Sequence, residues 1–145
     1  MEYIHASHCV YFCDYHIVIV TKYRKAILND GIFAYMSTTL AAVTDHYPLV
    51  RFSTVNHDKD HVHLIASIPP MMGVGKVVGI IKQNTARALK QKFPFIKQVY
   101  WGTDEVWSDG YFVSTVGVNA SVIKAYVENQ GKKDTGQLRF GVELS

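Results

Sequence analysis

Apolar positions along the chain follow two rhythms. Residues 10–20 (VYFCDYHIVIV), 49–56 and 61–68 (HVHLIASI) are rich in β-branched and aromatic residues and predict strands. In the last of these, Val62, Leu64, Ala66 and Ile68 alternate with the other positions, so one face of that strand belongs to a core. A helical rhythm replaces this alternation elsewhere. Residues 32–47 place Phe33, Met36, Leu40 and Val43 on one side. Residues 74–93 form a stripe of Val74, Val77, Val78, Ile81, Thr85, Ala88 and Leu89, and residues 118–130 sweep out a broad apolar arc. Residues 99–101 and 111–116 are short strand candidates, separated by the acidic, glycine-containing stretch 102–110. Turn chemistry punctuates these segments: Asn29-Asp30-Gly31 with Asp30 as a helix N-cap, Pro48, the hairpin His57-Asp58-Lys59-Asp60, Pro69-Pro70, and Pro94 closing the second helix.

The order is strand, helix, strand, strand, helix, strand, helix. Its first six elements match a βαββαβ arrangement, an α/β (α+β) fold of the ferredoxin-like or RRM-like kind. There an antiparallel sheet carries helices on one face, and the last helix is an addition. Residues 1–130 read as a single domain and 131–145 as a polar, loosely packed tail. One sheet face has no helices of the βαββαβ unit to cover it, and a second subunit is a natural cover.

Composition changes this picture little. The chain has 145 residues, 48% of them apolar and 19% charged, as expected of one globular domain. No apolar run approaches the ~20 residues of a membrane span, and no signal-peptide pattern opens the chain, which points to the cytoplasm. Cys9 and Cys13, four apart in an extended segment, would lie ~13 Å from each other, too far for a disulfide; they read as half-buried thiols. The net charge of +3 does not by itself announce a partner.

Candidate chemistry sits in three places. His61 and His63, two apart on a strand, face the same side with a separation of ~6.6 Å along the backbone. They point away from the apolar face, where they can converge on a metal ion or stand as an ordinary pair of strand histidines. The neighbours His57, Asp58 and Asp60 can contribute to such a site or stand as ordinary hairpin residues. Gln130 falls inside the apolar arc of the last helix, one turn after Tyr126. A glutamine there needs a polar partner: its amide oxygen can ligate a hard ion, or it can sit at a fraying helix end beside a core tyrosine. The third place is basic. Lys76, Lys82, Arg87, Lys90, Lys92 and Lys97 follow one another with no acid between them, and Lys76, Gln83, Arg87 and Lys90 form a stripe opposite the valines. Such a stripe is a solvated face or a phosphate-binding one. Lys22, Arg24 and Lys25 can extend it, and Tyr23 can stack on an unpaired base.

Four segments together resemble the TnpA-type single-tyrosine HUH transposases of the bacterial insertion-sequence 200/605 group. They are Tyr15-His16-Ile17-Val18 with Thr21-Lys22-Tyr23-Arg24, Asp60-His61-Val62-His63-Leu64, Phe112-Val113-Ser114-Thr115-Val116-Gly117, and Val122-Ile123-Lys124-Ala125-Tyr126-Val127-Glu128-Asn129-Gln130. The similarity spans roughly residues 8–130. An HUH pair alone is a weak signal; the pair followed by Y-[IV]-E-x-Q in a terminal helix is specific. The resemblance implies that His61 and His63 are metal ligands, Gln130 a third ligand and Tyr126 the nucleophile. It further implies a divalent ion, Mg2+ or Mn2+, and a substrate of single-stranded DNA with imperfect hairpins at the element ends. A 5′-phosphotyrosine intermediate and a homodimer joined through its sheets complete the expectation, with the tyrosine helix of one subunit able to serve the other. The sequence departs from the family at Lys82-Gln83, where a Lys-Gly pair is common, and in the acidic residues Asp104, Glu105 and Asp109 of the 102–109 link.

Three rival readings share parts of this evidence. A replication initiator or relaxase-like nickase is generally larger and often carries a third histidine. A non-catalytic single-stranded nucleic-acid-binding module would use sheet-face aromatics such as Tyr11, Phe12 and Tyr15, and gives His61, His63, Tyr126 and Gln130 no reason to coexist. A small metallohydrolase would activate water with the histidines and tolerate Tyr126→Phe.

Overall fold

The computed structural model describes residues 3–6, 8–115 and 120–135. Two short strands, β1 (Ile4–His5) and β2 (Val10–Tyr11), pair with each other. The main sheet consists of β3 (Asp14–Val20), β4 (Arg51–His57), β5 (His61–Ser67) and β6 (Phe112–Ser114), every pairing antiparallel, in the order β4-β5-β3-β6. This is the ferredoxin-like order expected. Helices α1 (Asp30–His46) and α2 (Val74–Lys92) connect the strands, and the short α3 (Pro94–Val99) follows α2. Helix α4 (Ala120–Asp134) comes last.

The alternation in β5 sets the two faces of the sheet. Val62, Leu64, Ala66 and Ile68 are all buried, together with Ile17 and Ile19 of β3. Against them pack Ile32, Met36 and Leu40 of α1 and Val77, Val78, Ile81 and Leu89 of α2. On α2 Ala86 is buried, whereas Ala88, expected in the stripe, is half-buried. The other face carries His61 opposite Val20 and His63 opposite Val18, with Asn56 and Phe112 on either side of the His63–Val18 pair. Helix α4 of the same chain seats Tyr126 and Val127 on Val18 and Val20, so the face left open by α1 and α2 is partly covered from within.

Several boundaries differ from the sequence reading. The expected strand 10–20 is broken after Tyr11, and its second half alone joins the main sheet. Asn29, not Asp30, caps α1: its side-chain oxygen accepts the Ile32 N–H at 2.9 Å. Pro94 starts a helix instead of ending one, since a proline at the first helical position forfeits no needed N–H. Residues 99–101 are consequently the end of α3 and a turn, not a strand. Cys9 is exposed rather than half-buried, and both cysteines are free thiols. Helix α4 runs four residues past Gln130, and Gly131 is buried. Residues 116–119 and the tail beyond 135, including Val116 and Val118, lie outside the described residues. Among the described residues no helix is long and apolar enough to cross a membrane.

Candidate active site

His61 and His63 stand side by side on β5 at the edge of the α4 footprint. The His61 Nδ1 lies 2.8 Å from Asp60 Oδ1. A carboxylate can only accept, so Nδ1 carries the proton, which leaves Nε2 as the nitrogen available to a metal. Asp60 is itself buried, and Arg24 Nε donates to its other oxygen at 3.2 Å. The three residues form a relay that fixes the ring of His61. Burial lowers the pKa of His63, with His61 and His16 adding to the effect, so its ring is neutral at pH 7, the form that binds metals. A cleft of about 590 Å³ opens here, with the two histidines, Asp60 and Arg24 on one side and Ile123, Lys124, Val127 and Glu128 of α4 on the other. Among the described residues no group of three or more His, Cys, Asp or Glu side chains is placed to hold a metal.

Tyr126 and Gln130 are on the same helix but do not face this cleft. The Tyr126 ring packs on Phe112, with centroids 5.8 Å apart, and its hydroxyl points toward Gly110 at the far side of β3. Gln130 is buried and donates its side-chain amide to the Asp109 carbonyl at 2.6 Å. A backbone carbonyl is therefore the polar partner that the glutamine in the apolar arc required. Burial, and then the carboxylate of Asp134, push the Tyr126 phenol up to about 12. The neutral phenol is thus favoured by the fold. Because an unfolded tyrosine ionises near 10, this contribution to stability is complete below pH 10 and disappears as pH rises to about 12. Thermal melts over that window should fall less steeply for Tyr126→Phe than for the parent. Tyr100, pushed up more strongly by burial, retains the remaining slope.

The C-terminal turn of α4 is bolted to the segment after β3. Tyr23 and Arg24, in a 3-10 turn (Lys22–Arg24), both adopt positive φ. The Tyr23 N–H donates to Asp134 Oδ2 at 3.0 Å, and Ser108 Oγ bonds the same carboxylate. A Cβ on Gly131 would come within 2.1 Å of Arg24 Cδ. Arg24 cannot swing aside freely, because Asp60 holds its guanidinium. Gly131→Ala should therefore destabilise the protein by about 1–3 kcal/mol, despite alanine's higher helix propensity. A fall in the urea unfolding midpoint at unchanged slope would record it.

The basic residues divide into two groups. Lys82 Nζ donates to the carbonyls of Ser108 and Gly110 at 2.7 and 2.6 Å, and Lys90 Nζ donates to those of Tyr100 and Thr103. Lys22 lies 3.3 Å from Glu105 and 4.0 Å from Asp109. These three lysines hold the 100–110 segment in place, Lys22 through two of its carboxylates and the other two through its backbone carbonyls. Lys76, Arg87 and the ring of Tyr23 remain exposed. The sequence reading names Asp60 beside the histidines as a candidate contributor, but not its hold on the His61 ring. It misses the Lys82 contacts altogether, which are long-range with no local signature.

Residues 9–130 match the family model described as Transposase IS200 like. The chain belongs to the IS200-like transposase family. It is 30% identical over 139 residues to the transposase for insertion sequence element IS200 of Salmonella typhimurium, covering 96% of this chain and 88% of that one. It is 29% identical over 126 residues to the ISDra2 transposase TnpA of Deinococcus radiodurans, covering 86% and 89%. A crystal structure of a Deinococcus radiodurans R1 protein assigned as a transposase superposes with a TM-score of 0.78 at 28% identity, covering 88% of this chain and 97% of that one. Family membership makes transposition the setting in which the histidine cleft and the tyrosine helix are to be understood.

Proposed function

We propose that this IS200-like transposase cuts and rejoins single-stranded DNA through Tyr126, with a divalent ion held by His61, His63 and Gln130. The observation that carries this reading is the histidine pair on the sheet face, its first ring fixed by buried Asp60, directly beside the seat of the tyrosine helix. The donor types suit a divalent ion: two imidazoles side by side on the sheet face, and the Gln130 amide oxygen, which reaches them only once α4 is re-seated. When bound, such an ion would polarise the scissile phosphate and offset the charge that develops there. The Tyr126 oxygen attacks phosphorus, and the bond to the 3′-oxygen breaks. That oxygen leaves as a 3′-hydroxyl, and the 5′-phosphate stays on the tyrosine. Attack by another 3′-hydroxyl then restores Tyr126 and joins the strands, so the energy of the first linkage is conserved. The substrates we infer are element ends marked by imperfect hairpins.

Tyr126 is turned away from the histidines within one chain, so α4 has to be re-seated before attack. We infer a homodimer in which the helix of one copy serves the histidines of the other. Mixing inactive Tyr126→Phe chains with inactive His61→Ala chains should then restore adduct formation, up to about a quarter of active sites by random pairing; no recovery would place the site within one chain.

The test of the reading as a whole uses a labelled single-stranded hairpin from the protein's own element and Mn2+. A covalent protein–DNA band on a denaturing gel, lost on adding EDTA, is expected. A clean nick without a covalent band would favour water activation by the histidines instead.

A further inference from the structure

A second cleft, of about 810 Å³, lies between the C-terminal half of α2 and the turn after α3. It shares no lining residue with the histidine cleft. Trp101 stands at its rim, 80% exposed, the most exposed large apolar side chain among the described residues. This exposure is imposed by the local structure. The neighbouring Tyr100 is buried and its hydroxyl donates to the Lys22 carbonyl at 2.8 Å. Lys90 grips the carbonyls of Tyr100 and Thr103 on either side, and the Trp101 backbone N–H donates to the Gln98 carbonyl. Gly102 takes φ +83, a conformation that turns the chain sharply after the indole. The tryptophan is thus presented outward on a pinned turn, in a place where a core would normally claim it.

Around it the cleft is cationic and amide-rich. Arg87 and Lys97 are exposed, Gln83 and Gln91 line the α2 wall, and Asp104 is the acid at the opposite rim. A flat indole beside two exposed cations, Lys97 and an Arg87 braced by the Asn84 side-chain oxygen at 2.8 Å, suits a ligand with an aromatic face and a negatively charged backbone. A paired base is inaccessible for stacking, so the ligand is single-stranded. A second copy of this chain fits less well, since it would bring the same cations against these.

We propose that this cleft binds an unpaired nucleotide of single-stranded DNA, its base stacked on Trp101 and its flanking phosphates met by Arg87 and Lys97. The site anchors the strand away from the histidine cleft. The proposal rests on the strand-transfer reading only for the identity of the polymer.

The test uses the full chain and two fluorescein-labelled probes read by anisotropy: oligothymidylate, and a chain of equal length and charge made of abasic nucleotides. The parent should prefer oligothymidylate by about 5- to 150-fold, the worth of one stacked base. Trp101→Ala should lose most of that preference, and Trp101→Tyr should keep it. Arg87→Ala and Lys97→Ala should weaken both probes alike and flatten the salt dependence. Undiminished preference in Trp101→Ala would overturn the proposal. So would a Trp101→Ala chain that changes its oligomeric state while binding DNA normally. The covalent-band assay separates the two readings: no band from the parent, with base preference intact, removes the strand-transfer chemistry and leaves this site standing.

Discussion

Tyr126→Phe will abolish the covalent protein–DNA species and reduce strand transfer by roughly 10⁴-fold or more, as expected when a covalent nucleophile is removed. The substitution deletes one oxygen and keeps the ring that packs on Phe112, Val18 and Val20. A melting temperature close to that of the parent at pH 7 will show that the loss is chemical. Binding of the hairpin will persist, because the exposed cations and Trp101 lie elsewhere. Any residual cleavage will leave a free 5′-phosphate, the product of attack by water in place of the phenol. Ordinary turnover in the phenylalanine variant, with an unchanged adduct, would take the nucleophile away from Tyr126.

Removing either histidine will have the next largest effect. His61→Ala and His63→Ala will each weaken Mn2+ binding by well over the ~10- to 100-fold that loss of an outer-shell partner costs, and cleavage will fall with it. Asp60→Asn will fall within that smaller range. An asparagine can hold the Nδ1 of His61, but it removes the charge that pairs with Arg24. Titration calorimetry with Mn2+ will rank the three variants. An Asp60→Asn chain as impaired as His61→Ala would mean that Asp60 itself touches the metal. Parental metal affinity in His63→Ala would remove that residue from the ligand set.

Local patterns in the sequence carried the frame of the molecule and half of its site. The alternation in β5 separated Val62, Leu64, Ala66 and Ile68 from His61 and His63, and the structure keeps that separation. Period two is rigid, and a residue's face follows directly from it. The stripe of α2 was equally plain. Three features were not legible. A short apolar run such as 99–101 has no period of its own, so strand and helix look alike until Pro94 is seen to start a helix. Lys82 carries no local sign of a partner, yet it bonds Ser108 and Gly110, which are distant in sequence and reach it only once the loop has folded back. The helical arc of α4 placed Tyr126 and Gln130 on one side, and they are on one side. No local rule said whether that side would meet the histidines or, as in this chain, Phe112 and the Asp109 carbonyl.

Tyr126, buried against β6 in the single chain, is the residue we propose as the link to DNA. Peptide mapping puts this to the test. After incubation with Mn2+ and the element's hairpin, the adduct is digested with protease and nuclease, and the modified peptide is sequenced by mass spectrometry. A nucleotide phosphate on Tyr126 is the expected result. A phosphate on any other residue, or cleaved DNA with every peptide unmodified, would contradict it.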